Sequence, residues 1–273
     1  MDNELEIRRL GWAGIELNCE GHRLVIDLFE NRTAMAPFIE EVSGPLPPPS
    51  GPVDLALVTH LHADHADVPA LGRVIKPGGP VLRPAPTPGD DLDRAMTAVA
   101  EAEFASLDAE VRIVDNWEAV EHGPFVVTAV PAVDGFGDPQ VSWVVEAGGR
   151  RILHGGDTVF HGALWPIASR FKPFDAVFLP INGPICNFPH RQPPSPYPSA
   201  LDPLGAATAA EILGAKLAVP IHFDEINVDD LYEQVENPGE SFTEETAARE
   251  IEARFLESEE TLEWAREGAA RTE

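Results

Sequence analysis

Residues 59–67 read Thr59-His60-Leu61-His62-Ala63-Asp64-His65-Ala66-Asp67 and follow directly on the apolar run Val53–Val58. Such a cluster makes a poor core and a good metal site. Buried imidazole and carboxylate groups need partners, and they are the ligands that zinc, manganese and iron share. His60 and His62, two apart in an extended segment, project to the same side. Asp64 and His65 are adjacent and diverge as the chain turns, so they suit a second ion beside the first. Two ions about 3.5–4 Å apart are the usual device for activating water against an ester or phosphoester.

The bulk numbers agree with a soluble globular protein. At 273 residues the chain is long enough for one large α/β domain or two small ones. Hydrophobic residues make up 44% and charged residues 24%, as in ordinary globular proteins. The sequence has neither a run of 18 apolar residues nor a basic leader followed by an apolar stretch, so neither a membrane span nor a secretion signal is expected. Cys19 and Cys186 form no framework, which suits a reduced, cytoplasmic setting. The net charge of −27 argues against nucleic acid as a partner, because phosphate contacts need a basic surface. It leaves open a small phosphorylated substrate, since bound metals supply positive charge themselves.

Alternating apolar residues predict strands at Leu5–Leu17 and Arg23–Leu28, joined by a turn at Cys19–His22. Further strands are expected at Val53–Val58, Val111–Val114, Phe125–Val130, Val141–Glu146, Arg151–His154, Ala176–Ile181 and Leu217–Ile221. Helices are expected at Val68–Ile75, Asp90–Ser106, Gly162–Phe171, Asp202–Leu213 with Asp202 as cap, and Thr243–Glu267, the last preceded by a short one at Val228–Val235. One domain over residues 1–273, with sheets inside and helices outside, is the simplest assembly. Residues 184–203 hold seven of the 27 prolines and read as a semi-rigid lid near the active site, packed through Phe188, Tyr197 and Leu201.

Three more acidic or imidazole residues fall where strands run out. Asp157 follows Ile152-Leu-His-Gly-Gly156, His222 closes Leu217-Ala-Val-Pro-Ile221, and Asp134 stands just after Val126–Ala132. Taken in order, THLHADH, HGGDT and PIHF resemble the metallo-β-lactamase superfamily. Gly11-Trp-Ala-Gly14 with Leu24-Val-Ile-Asp27, and Leu179-Pro-Ile181 ahead of Pro220-Ile-His222, are similar to its ascorbate-6-phosphate lactonase-like branch. The resemblance covers roughly residues 5–226 and implies an α/β (α+β) fold, an αββα sandwich of two mixed sheets flanked by helices.

The resemblance also implies a ligand set. His60 and His62 would hold one metal, Asp64, His65 and His222 a second, and Asp157 would bridge them, with Asp27 as a structural carboxylate behind the site. Members of the branch usually bring a third histidine to the first metal, where this chain has Asp134-Gly135. Either Asp134 is the ligand, or a nearby histidine such as His190 replaces it, or the first site is weak. A carboxylate there would favour harder ions, and a turn role beside Gly135 is the competing reading.

The activity implied is that of a hydrolase. It would carry two divalent ions, zinc first and manganese or iron as alternatives, and attack a small ester, lactone or phosphodiester with activated water. Anionic and phosphorylated metabolites are among the candidate substrates. Asp64 would orient that water, while His154, His161 or the insert would protonate the leaving group, with His190 touching substrate. Two alternatives stand beside it: an iron-dependent redox enzyme of the same fold, and a binding or regulatory protein with an impaired site. Helix Thr243–Glu267 carries enough Ala, Ile and Leu to pack on the domain or on a second subunit, so a homo-oligomer stays open.

Overall fold

The apolar run ahead of the histidines forms an interior strand, β4 (Leu55–Leu57), in the computed structural model, which describes residues 4–32, 44–223, 225–262 and 264. It lies parallel to β3 (His22–Ile26) on one side and β5 (Pro80–Arg83) on the other. With β1 (Glu6–Gly11), β2 (Gly14–Cys19), β6 (Glu110–Ile113) and β16 (Thr261–Leu262) they make a mixed sheet ordered β16-β1-β2-β3-β4-β5-β6. Both faces of β4 are buried, which is why its sequence is continuously apolar instead of alternating.

A second mixed sheet, ordered β15-β13-β11-β10-β9-β8-β7, is built from β7 (Ala119–His122), β8 (Phe125–Pro131), β9 (Val141–Ala147), β10 (Arg150–His154), β11 (Ala176–Pro180), β13 (Leu217–Ile221) and β15 (Glu252–Ala253). Between the sheets Ile7, Ile15, Leu55 and Leu57 meet Phe125, Trp143, Phe178 and Val219. Helices α1 (Val68–Val74) and α2 (Ala98–Phe104) cover the outer face of the first sheet. Helices α3 (Leu164–Phe171), α4 (Pro203–Leu213) and α5 (Pro238–Ala247) cover that of the second. The order helix, sheet, sheet, helix is the αββα sandwich expected from the sequence.

Strand direction decides where function can sit. β3 and β4 are parallel in one sheet, and β10, β11 and β13 are parallel in the other. β8 runs antiparallel to β9, which runs antiparallel to β10, so β8 and β10 end on the same side. Asp27, His60, Asp134, Asp157 and His222 each follow the carboxyl end of one of these strands. Such ends are where α/β sheets gather ligand-binding loops. The two sheets are stapled just there. Trp143 of β9 donates from Nε1 to Val58 O (3.1 Å), and Val141 N donates to Thr59 O (2.9 Å).

Several elements differ from expectation. The stretch Leu5–Leu17 is two strands, because Trp12 takes a left-handed φ of 47° and turns the chain between β1 and β2. Strands β5 and β7 were not anticipated, and the helix expected at Asp90–Ser106 shrinks to α2, since Asp90 caps a turn by accepting from Leu92 N and Asp93 N. The region Val228–Val235 is not helical. It supplies β14 (Tyr232–Glu233), which pairs with β12 (Ile185–Cys186) of the insert.

The helix expected over Thr243–Glu267 is also corrected, although 263 and 265–267 lie outside the described residues. The chain leaves helix α5 at Ala247, and Glu250 takes a left-handed φ of 58°. The following residues then add β15 to one sheet and β16 to the other. Helix propensity in this Glu- and Arg-rich stretch yields to the larger gain of pairing two open sheet edges and burying Leu256 and Leu262.

Trp143 makes the staple testable. Replacing Trp143 with Phe keeps most of the buried ring but orphans Val58 O, and should cost about 1–3 kcal/mol in denaturant unfolding. Trp143→Ala should cost about 3–5 kcal/mol.

Candidate metal centre

The loop after β4 is held from behind by Asp27, which is fully buried and left-handed at φ 51°. Its carboxylate accepts from Thr59 N (2.8 Å), Thr59 Oγ1 (2.7 Å) and His65 Nδ1 (2.8 Å). Since the Thr59 hydroxyl gives its proton to Asp27, its oxygen accepts from His60 Nδ1 (3.1 Å). His62 Nε2 donates to Asp138 Oδ2 (3.0 Å), and Asp138 Oδ1 in turn accepts from Thr87 Oγ1 (2.8 Å). His222 Nδ1 donates to Asn182 Oδ1 (3.1 Å), whose amide nitrogen donates to Tyr232 OH (2.8 Å).

Each of the four imidazoles therefore has one N–H tied to a fixed acceptor, which leaves the other nitrogen bare when the ring is neutral. These nitrogens all turn inward. His60 Nε2 and His62 Nδ1 face each other at 3.0 Å. His65 Nε2 lies 3.0 Å from Asp157 Oδ1, and both atoms are buried without a hydrogen bond. His222 Nε2 lies 3.0 Å from Asp157 Oδ2 and 3.3 Å from Asp64 Oδ2. Lone pairs converging on one another and on carboxylates repel unless cations stand between them. The donor set is the one that suits zinc, manganese or iron.

Among the described residues three groups could hold a cation: Asp64, His65, Asp157 and His222; His60, His62 and Asp157; and His62, Asp134 and Asp138. The first two share Asp157, so the residues expected to form two shells are brought together around one carboxylate. Asp134 joins His62 and Asp138 instead of His60 and Asp157. Its Oδ2 accepts from Phe136 N (2.8 Å) and Asp138 N (3.0 Å), which is the turn role, while its Oδ1 is buried and unpartnered.

Without cations, protons take their place. Burial alone would lower His65, but the Asp157, Asp64 and Asp27 carboxylates outweigh it and hold that imidazole well above its usual range. His222 is raised in the same way against its burial by Asp157 and Asp64, and His62 by Asp134 and Asp138. His60 goes the other way, pushed well below its usual range by burial and then by His65 and His62. Asp157 stays far below the ordinary carboxylate range despite its burial, because His222 and His65 flank it.

The remaining candidates are placed elsewhere. His154 is not positioned to protonate a leaving group. It is completely buried, its Nε2 donates to Ala13 O (2.7 Å) and its Nδ1 accepts from Gly156 N (3.3 Å), so the last residue of β10 braces the turn behind the site. His161 accepts from Ala163 N (3.2 Å) ahead of α3 and belongs to none of the three groups. His190 lies in the insert, stacked on Phe188 with centroids 5.7 Å apart. Within the insert Phe188 and Leu201 are buried as expected, whereas Tyr197 is exposed and packs little.

Sequence reasoning missed Asp138, Asn182 and the contact of Trp12, whose Nε1 donates to Asp64 Oδ2 (2.9 Å) and whose ring lies 4.0 Å from that of His222. Asn182 had a usable signal, a polar residue just past the end of an apolar strand. Asp138 had none, because it reaches His62 only through the fold of the loop that Asp134 ties.

A family model described as "Beta-lactamase superfamily domain" matches residues 22–223. A metal-dependent hydrolase of Thermus thermophilus is 28% identical over 267 residues, covering 94% of this chain and 98% of its own. Among solved structures, isothiocyanate hydrolase from Delia radicum gut bacteria superimposes with a TM-score of 0.67 at 17% identity, covering 95% of this chain and 99% of that one. CmlA, a diiron β-hydroxylase from Streptomyces venezuelae, gives 0.70 at 16%, covering 97% of this chain and 55% of its own. At these identities the two structures speak for the fold alone.

Two outcomes are expected of this geometry. Asp138→Asn should weaken cation binding at the His60–His62 group by about 10–100-fold, the usual effect of losing a carboxylate behind a metal-binding histidine, as read by chelator competition. Because His65, His222 and His62 are raised, each keeps its proton through the ordinary imidazole range, and a cation must displace it. Affinity should therefore climb as pH rises through and above that range, with proton release visible in calorimetric titrations run in different buffers. A flat profile would contradict the protonated resting state.

Proposed function

The chain belongs to the β-lactamase superfamily domain family, and from that premise we propose that it is a metal-dependent hydrolase working with two divalent cations, zinc first and manganese or iron next. The observation that carries this reading is the convergence of four inward-turned imidazole nitrogens on one shared carboxylate, Asp157. His60 and His62 would hold one ion, with the free Oδ1 of Asp134 on the His62 side. Asp64, His65 and His222 would hold the other. When bound, the ions supply an activated water and polarise the scissile oxygen of an ester, lactone or phosphodiester.

The protein's own groups set the geometry. Asp27, Asp138 and Asn182 hold the histidine rings so that the chosen nitrogen faces inward. Trp12 holds Asp64 Oδ2, leaving Asp64 Oδ1 to orient water. With His154 locked into the backbone, His190 is the imidazole left to meet substrate from the insert. The motif likeness to lactonases makes lactones the first substrates to try, and the net charge of −27 favours a small molecule over a polyanion. No helix among the described residues is long and apolar enough to cross a membrane. The two free cysteines suit a reduced, cytoplasmic setting.

A second reading, iron-dependent oxidation, is favoured by the number of carboxylates around His62 and His65, a set that harder ions accept. Metal analysis of the purified protein, with a panel of lactones, phosphodiesters and thioesters, separates the two. About two equivalents of metal with hydrolysis is expected. Bound iron with an optical signature and no hydrolysis would select oxidation, and failure to load any metal would sink both.

Two variants sharpen the ligand assignment. Asp157→Ala should abolish loading of both sites. Asp134→His should keep or raise affinity, and loss of metal from a folded Asp134→His protein would remove Asp134 from the ligand set.

A further inference from the structure

A cavity of about 780 Å³ opens beside the metal centre, between the loops that follow β8 and β10 and the Pro-rich insert. Its size is that of a pocket for a small organic molecule. The inner wall is continuous with the ligand loops. Val133 and Phe136 flank Asp134, which itself lines the cavity, and Val159 and Phe160 follow Asp157 by two and three residues. The Phe136 ring stands 6.0 Å from that of His62, so the apolar wall runs up to the cluster.

The opposite wall is seated tightly. A Cβ on Gly135 would come within 2.3 Å of Ser199 O, so the insert rests directly on the Asp134 loop. The insert contributes His190 and Arg191 to the lining. Arg191 is committed at its terminal nitrogens, while its Nε is buried without a partner. Its terminal nitrogens donate to Leu92 O (3.4 Å) and Asp93 O (3.3 Å), and one lies 3.8 Å from Asp138 Oδ2. His190 is driven toward its neutral form by burial and by Arg191, and its Nε2 is buried with no partner. The charged side chains on the lining besides Arg191 are Asp134 and Asp202, both acidic.

On the insert side of the cavity, beyond the reach of the bound cations, a phosphate or carboxylate would meet Asp202 and one cation already committed at its terminal nitrogens. An uncharged molecule with an apolar body would find aromatic and aliphatic walls and one imidazole to hydrogen-bond. We infer, resting on the hydrolase reading, that this cavity binds the apolar part of an uncharged aryl or alkyl ester or lactone, held by His190 Nε2 with its carbonyl toward the cations that Asp134 and Asp157 would hold. The expectation of an anionic or phosphorylated substrate is thereby narrowed to a neutral one.

Binding can be measured apart from catalysis. N-Phenyl-1-naphthylamine, a neutral fluorescent aryl probe, is titrated into the full chain with and without zinc. One saturable site is expected, displaced by phenyl acetate and not by equal concentrations of phenyl phosphate. Val133→Trp, which fills the mouth, and Phe160→Ala, which removes part of the wall, alter positions 44% and 43% exposed and should leave the fold intact. Each should weaken the probe by about tenfold, the worth of one aromatic contact.

Absence of saturable binding, equal binding by both variants, or displacement by phenyl phosphate as strong as by phenyl acetate would overturn the inference. Hydrolysis is read separately. For the zinc-loaded protein, kcat/KM should rise from 4-nitrophenyl acetate to the octanoate and fall back in the Val133→Trp variant. Probe binding without turnover of any ester would retain the apolar cavity and fell the hydrolase reading. Turnover indifferent to acyl length and to both variants would do the reverse.

Discussion

Bare imidazole nitrogens cannot be packed face to face in a buried site without something positive between them. Four such nitrogens meet here, and the rest of the structure is arranged to keep them pointed that way. Asp27, locked in a left-handed conformation at the end of β3, takes the outward proton of His65 and, through Thr59, orders His60. Asp138 and Asn182 do the same for His62 and His222. Carboxylates, amide and hydroxyl thus choose which nitrogen faces inward, and Asp157 stands where both halves of the cluster need negative charge. Protons satisfy that constraint in the metal-free protein and bound cations would satisfy it in their place, so binding and protonation would be linked.

This constraint also explains why the site lies on a seam. The candidate ligands come from the ends of strands in both sheets, so the relative position of the sheets sets the distances between the His60–His65 loop and Asp134, Asp157 and His222. Trp143 and Val141 fasten one sheet to the other within two residues of His60. The insert adds a third wall, tied down by its strand pairing with Tyr232–Glu233 and by Arg191 to the Leu92–Asp93 turn.

Much of this was legible in the residues. The spacing of His60, His62, Asp64 and His65 after a doubly buried strand marked the site, and Asp157 and His222 declared themselves as polar residues where apolar strands stop. What stayed hidden depended on contacts between distant segments. Asp138 is invisible as a partner of His62 until the loop folds, and His154 sits beside a glycine-rich motif yet spends both nitrogens on backbone. The C-terminal stretch misled for a different reason. Its composition favours helix, but two unpaired sheet edges compete for the same residues and win, a choice local sequence does not record.

The position of the cluster along the chain has one more consequence. Both cysteines are free, so no covalent bridge restrains the polypeptide. A cation held jointly by Asp64, His65, Asp157 and His222 would close residues 64–222, more than half of the chain, into a loop. It would act as a reversible cross-link, whose entropic effect on the unfolded chain grows with the logarithm of the enclosed length. The ion that serves the chemistry would therefore also serve as this protein's long-range tether, and metal supply would govern its lifetime as well as its turnover.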